Sequence, residues 1–234
     1  MTAPSFAHMA PRYRVMYETM KVLPSRKVGM DAVARLVYKH KQRYLEVCDA
    51  LDIDEEWWML VGCLHYRESS CNFGTHLANG DSLEHKTIHD PKDEPPGNPP
   101  FSWEYAAEWA LRDHGAQHLP EFDIAEFAYF AEGYNGWGYA ERGETSAYLW
   151  SGTDKHASGK FIRDHVYSPV AVDPQDGVMP ILAALMAMEQ PAEAVPVTQS
   201  SPVVRVTVPA TPVAPTAPKS ILRQLWEAIR GPHH

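Results

Sequence analysis

The stretch "DIDEEWWMLVGCLHYRES", Asp52–Ser69, decides the fold. Acids at Asp52, Asp54, Glu55 and Glu56 suit the positive end of a helix dipole. Trp57, Val61, Leu64 and Glu68 then recur at i, i+4, i+7 and i+11, which is one stripe of a 3.6-residue helix. The stripe is apolar until its last member, so the spacing predicts a carboxyl on the buried side of the helix. A carboxylate against aromatic and aliphatic surface loses solvation, and its pKa rises. Such a group stays protonated near neutral pH and can act as a general acid. Glycosidic cleavage needs one, because a departing sugar oxygen is a poor leaving group. The competing reading is a Glu at a helix end that simply faces water.

Working outward, "MDAVARLVYKHKQRYLEVCDAL" (Met30–Leu51) reads as one long amphipathic helix, with Val33, Val37, Tyr44 and Val47 on its stripe. Residues 72–101 read as loop, since "HDPKDEPPGNPPF" supports no regular element. "SWEYAAEWALRDHG" predicts a helix capped by Ser102 and closed at Gly115. "EFDIAEFAYFAEGY" predicts another, broken by the three glycines of "NGWGYAERG". A polar, aromatic stretch runs to about Pro174, and a last core helix covers about Gly177–Met188. The expected fold is mainly α: an irregular basic segment over 1–27, a helical domain with long loops over 28–190, a Pro/Val/Thr-rich linker over 191–219, and a C-terminal amphipathic helix and tail over 220–234. Leu222, Leu225, Trp226 and Ile229 form that last helix's apolar stripe. It either folds back onto the body or anchors to a partner protein or membrane surface through residues 220–230.

Net charge is −9, unevenly spread. Residues 51–190 carry eight Lys/Arg against twenty-four Asp/Glu, and residues 1–50 carry nine against four. An acidic middle argues against nucleic acid as partner, because phosphate binding needs a cationic surface. Seven Trp and eleven Tyr serve the core first, with some left to line a groove for sugar rings. Cys48, Cys63 and Cys71 are too few and too odd for a disulfide framework; Cys63 reads as a small helix hydrophobe, with a Cys63–Cys71 bridge as the alternative in an oxidising compartment. No secretory signal and no run of about 18 apolar residues is visible. No zinc-type spacing fits Cys63, His65, Cys71 and His76, and no nucleotide fingerprint is present, so neither a metal nor an organic cofactor is expected.

The residues around Glu68 carry a resemblance. "RESSCNF", then "THLANGDSL", then "YNGWGY" resemble the lysozyme-like superfamily, in particular goose-type lysozymes and soluble lytic transglycosylases. Those families place a catalytic Glu in an "ES" pair at a helix end and use a "YNAG" turn to hold the glycan. Glu68-Ser69 and Tyr134-Asn135-Gly136 match these positions. The chain is more similar still to phage-associated lysozyme-like proteins. These carry "RESS-NF-THL-NGDPL", "PPF-W", "YLWSG" and "GKY/F" segments, here Arg67–Leu83, Pro99–Trp103, Tyr148–Gly152 and Gly159–Phe161. The sequence departs in its "YNGWG" turn, in Cys71 where a small Gly is expected, and in lacking a "GLMQ" segment. The resemblance implies cleavage of peptidoglycan glycan strands at the bacterial cell wall, with a phage setting and a separate export route.

A second carboxylate decides the reaction. An inverting hydrolase needs a base roughly 6.5–9.5 Å from the acid. Asp81, after the Asn79-Gly80 turn, is the expected base; the alternative is an Asp that caps that turn. Glu84 and Asp90 are weaker candidates. Without a base, Glu68 acts alone and the sugar's own 6-hydroxyl attacks, the transglycosylase route. Ser69, Thr75 and Thr87 are expected to bind N-acetyl groups. Tyr134 and Asn135 are expected contacts by motif position, and Tyr148 and Trp150 a stacking wall, with a structural "YLW" as the alternative. Two further readings are a chitin-type hydrolase and a non-catalytic glycan-binding or virion-associated protein.

Overall fold

A computed structural model of the chain describes residues 3–163 and 165–190. The linker and terminal helix expected over 191–234 lie outside the described residues. The described residues are mainly helical, as the patterning predicts, with one two-stranded sheet. The order is α1 (Phe6–Thr19), α2 (Pro24–Lys39), α3 (Lys41–Leu51), a 3-10 turn at Glu55–Trp57, α4 (Trp58–Ser69), α5 (Trp103–Asp113), α6 (Ile124–Tyr134), α7 (Gly138–Glu141), α8 (Ala147–Trp150), strands β1 (Lys160–Arg163) and β2 (Val166–Ser168), and α9 (Val178–Glu189). No described helix is long and apolar enough to cross a membrane.

Helix α4 is the axis of the core. Every residue from Trp58 to His65 is buried, so the helix is covered on all sides. It packs against α2, α3, α6 and α9. Gly62 explains the closeness of that packing. A Cβ added there would stand 2.4 Å from Val37 Cγ1 and 3.0 Å from a Tyr44 ring carbon. Val37 lies on α2 and Tyr44 on α3, and both close on the same point of α4. The expected single helix Met30–Leu51 is therefore corrected to two. His40, at φ −103° and ψ 11°, ends α2 and opens α3, bending the pair around α4.

The expectation of an irregular 1–27 segment is also corrected. Phe6, Met9, Ala10, Tyr13 and Tyr17 form a helical stripe, and α1 packs through it on α6. Pro11 hides this pattern in the sequence. It removes the N–H that would bond Ala7, and both residues are exposed, so the freed carbonyl lies on the solvent side of the helix. The Tyr13 hydroxyl donates to Glu132 Oε2 at 2.5 Å, tying α1 to α6 inside the core.

Residues 72–101 hold no helix or strand, as expected. Ser102 caps α5 through the Tyr105 N–H, and Asp123 caps α6 through Ala125 and Glu126. The β1–β2 hairpin, at the end of the stretch read only as polar and aromatic, is antiparallel with a bulge after Phe161. Gly159 opens it at φ +103°, where an added Cβ would meet the Tyr167 hydroxyl at 2.1 Å. The three cysteines are free thiols buried in the core, so the alternative Cys63–Cys71 bridge is absent.

Candidate active site

Glu68 sits in the last turn of α4, where the helix leaves the core. The chain then takes two successive left-handed residues, Ser70 (φ 54°) and Cys71 (φ 61°). The Ser70 N–H bonds Tyr66 O at 2.9 Å and the Cys71 N–H bonds His65 O at 3.1 Å, so the orphan carbonyls of the helix end are satisfied. Cys71 stands where the resemblance implies a small Gly, and its positive φ is a conformation that glycine adopts without strain. A residue with a Cβ costs of order 1–2 kcal/mol in this conformation. Phe73 anchors the far side of the turn. Its ring packs on His65 at 4.5 Å and Trp103 at 4.9 Å between centroids, with the Arg43 guanidinium 3.7 Å above it.

The expectation that Glu68 is buried along its stripe is corrected. The stripe surfaces after His65: Tyr66 and Arg67 are half-buried, and Glu68 is exposed. Water reaches it from one side while protein atoms crowd it from the others. That crowding raises the carboxyl pKa, and the Tyr148 hydroxyl and Arg67 offset part of the rise. A solvent-reached acid with a raised pKa is better suited to chemistry than a sealed one, because a substrate can touch it.

The Tyr148 hydroxyl donates to Glu68 Oε1 at 2.8 Å. Tyr148 comes from α8 and is 3% exposed, so the core fixes this donor. The Arg67 guanidinium lies 4.6 Å from the Tyr148 ring centroid. Arg67 Nη2 also donates to Asp173 Oδ2 at 2.9 Å, and Lys160 Nζ to Asp173 Oδ1 at 3.0 Å. The two cations hold the buried Asp173 carboxyl below its ordinary range, against the rise from burial. A continuous chain of contacts thus runs from Lys160 on β1 through Asp173, Arg67 and Tyr148 to Glu68.

Beside this chain lies a cleft of about 580 Å³. Arg67, Tyr148, Lys160 and Asp173 line it, with Asn135 to Gly138 of the "YNGWG" turn and Phe161 and Arg163 of the hairpin. Tyr148 and Arg67 join Glu68 to its edge. An apolar groove elsewhere, lined by Leu45, Trp58, Met59 and Phe122 among others, holds none of the expected site residues. No family model, curated protein or solved structure matches the chain.

The other expected site residues divide. Asn135 is exposed in the cleft, and Tyr148 reaches it while serving Glu68. Tyr134 is half-buried; its hydroxyl donates to Leu77 O at 3.1 Å, and its ring packs 4.4 Å from His114. Glu68 is one of the causes that push up the Tyr134 hydroxyl's pKa, after burial. The Ser69 hydroxyl bonds back to His65 O at 3.2 Å, and that of Thr75 bonds Asn72 O at 3.1 Å. Trp150 is 1% exposed and packs in the core, so no sugar can stack on it; here the structural reading of "YLW" holds. Thr87 is 2% exposed, and its hydroxyl serves Pro91 O and the Glu94 N–H, which removes it from any glycan contact.

Neither reading of Asp81 describes its carboxylate, which is spent seven and eight residues on, at Ile88 and His89, rather than on the Asn79-Gly80 turn. Its Oδ2 accepts from the Ile88 N–H at 2.8 Å and the His89 N–H at 2.9 Å, and its Oδ1 pairs with His89 Nδ1 at 2.6 Å. The His89 and Ile88 bonds hold its pKa down to about 2. A carboxylate of that pKa, with both oxygens engaged, is a weak base at neutral pH. Glu84 and Asp90 are exposed on the same loop, and neither lines the cleft.

Sequence reasoning missed Asp173, Lys160, Arg163 and Trp137 as site residues. The first three lie in a stretch with no helical period to mark a face. The signals were "GKF" at Gly159–Phe161 for Lys160 and the "YNGWGY" segment for Trp137, both quoted for the resemblance.

Proposed function

We propose that the chain is a lysozyme-like enzyme that cleaves the β-1,4-linked glycan strands of peptidoglycan, with Glu68 as general acid. The observation that carries this reading is the Glu68 carboxyl itself. It ends a buried helix, is open to solvent, has a raised pKa, and accepts a hydrogen bond from the core-fixed Tyr148. The "RESS", "YNGWG", "YLWSG" and "GKF" segments support it, because each contributes a residue to one cleft and its border: Arg67 and Glu68, Asn135, Tyr148, and Phe161.

The mechanism begins with protonated Glu68 giving its proton to the glycosidic oxygen as the bond to C1 breaks. The positive charge that develops on the sugar ring is met by the carboxylate left on Glu68. The second half needs a base and a nucleophile. Because Asp81 is committed to its loop, Glu68 acts as that base. It takes the proton of the sugar's 6-hydroxyl, whose oxygen bonds to C1. The products are a chain end with a free 4-hydroxyl and a 1,6-anhydro sugar, with Glu68 again protonated. Action at the bacterial cell wall follows from the substrate.

Purified protein incubated with cell-wall sacculi should release soluble glycan fragments, and mass spectrometry should find 1,6-anhydro ends. Reducing ends would assign the attack to water. Binding without release would replace the enzyme with a glycan-binding protein.

A further inference from the structure

The acidic part of the chain places its few cations unevenly. Residues 51–190 hold eight Lys/Arg, and three of them, Arg67, Lys160 and Arg163, line the one cleft beside Glu68. Of the twenty-four Asp/Glu in the same span, two line it, Glu141 and Asp173. Asp173 is spent on holding both Arg67 and Lys160, at 2.9 and 3.0 Å. Three cations against two carboxylates leave one net positive charge among the lining residues.

Arg163 is different from the other two. It is exposed, at the end of β1, next to the bulge that disturbs the β1–β2 register. No carboxylate of the described residues is paired with it. A bulge re-aims the side chains around it, a device common at the edges of binding sites. The hairpin is held against the body by Phe161, which packs 5.1 Å from Tyr139 and closely against Gly138. Arg163 therefore stands at the end of a strand that is anchored two residues earlier. A guanidinium in a cleft with no carboxylate partner among the described residues is a fork of donors matched to a carboxylate.

From this arrangement we infer that the hairpin side of the cleft is a subsite for a carboxylate carried by the glycan, with Arg163 as its direct ligand and the Arg67–Asp173–Lys160 group as its positive background. The inference rests on the proposed function, since it assumes that a glycan occupies the cleft. It adds what an acid at Glu68 alone does not require: discrimination between an acidic and a neutral aminosugar chain. Two carboxylates of peptidoglycan have this chemistry, the lactyl group of an unsubstituted muramic acid and the carboxylates of a stem peptide.

The test uses full-length protein carrying Glu68→Gln, so that ligands survive, with and without Arg163→Gln or Arg163→Lys. Calorimetry compares three probes: a peptide-free N-acetylglucosamine–N-acetylmuramic acid tetrasaccharide, the same tetrasaccharide with its lactyl carboxyls amidated, and the tetrasaccharide bearing tetrapeptides. At least one acidic probe, the peptide-free acid or the tetrapeptide form, should bind about tenfold more tightly than the amide. Arg163→Gln should erase most of that preference, and Arg163→Lys should restore part of it. Preference for the peptide-free acid identifies the lactyl group, and preference for the tetrapeptide form identifies the stem. Equal binding of acid and amide, or an unchanged preference in Arg163→Gln, overturns the subsite while wild-type release from sacculi leaves the proposed function standing. If no probe binds and wild type releases nothing, both readings fall.

Discussion

The Tyr148 hydroxyl donates to Glu68 Oε1 at 2.8 Å, from a ring that the core holds almost fully buried. A donor to a carboxylate stabilises its charged form, so Tyr148 works against the rise that crowding imposes on the Glu68 pKa. A general acid is active while protonated, so activity falls as pH rises through its pKa. Tyr148→Phe removes the donor and raises the Glu68 pKa further. The alkaline limb of the pH–rate profile on sacculi should therefore move to higher pH. A limb that stays in place, or moves down, would separate this contact from the chemistry.

Asp81 has a different work load. Its carboxylate gathers the Ile88 and His89 amides and the His89 ring, and so shapes the loop that runs from it. Asp81→Asn should release fragments within about tenfold of wild type, because a lost catalytic base costs about 10²–10⁴-fold. Amide exchange over residues 81–94 should quicken at the same time. A loss near 10³-fold with unchanged exchange would return Asp81 to the reaction.

His65 makes the fold sensitive to acid. It is fully buried beside Tyr44, Phe73 and Trp103, and burial lowers its pKa from 6.5 to about 4. Between those values the unfolded chain binds a proton that the folded chain refuses. Stability therefore rises with pH across that window and is lost as pH falls toward 4. The full shift is worth roughly 3 kcal/mol. Urea midpoints between pH 7 and pH 4.5 should fall more steeply for wild type than for His65→Asn. Parallel slopes would contradict the assignment.

Gly62 lets α2 and α3 close on α4, with room for no side chain between Val37 and Tyr44. Gly62→Ala should cost about 1–3 kcal/mol by overpacking. Thermal melting would show it as a midpoint lowered by several degrees. An unchanged midpoint would mean that the three helices have slack.

Much of this fold was legible because helices announce their buried faces. The stripe from Trp57 to Leu64, the Ser102 cap and the apolar run into α9 all stand where the spacing puts them. Three things were hidden. Pro11 masked α1, the bend at His40 has no breaker residue to announce it, and the β1–β2 hairpin is too short for alternation to register. At the candidate site, Glu68 was singled out by a charge at the end of an apolar stripe and by the resemblance of the "RESS" segment around it, although the stripe surfaces before it. Asp173 was not: it is an acid in an irregular stretch, and only the fold brings it to Arg67 and Lys160. Trp150 misled because an aromatic near a motif suggests stacking, while its neighbours bury it completely.

The most direct measurement is glycan release from sacculi by Glu68→Gln, alongside wild type, with matching circular dichroism spectra and melting temperatures. Gln keeps the shape and can still accept from Tyr148, but has no proton to give to a glycosidic oxygen. The account predicts a loss of about 10³-fold or more in an otherwise folded protein. Release at the wild-type rate would contradict it.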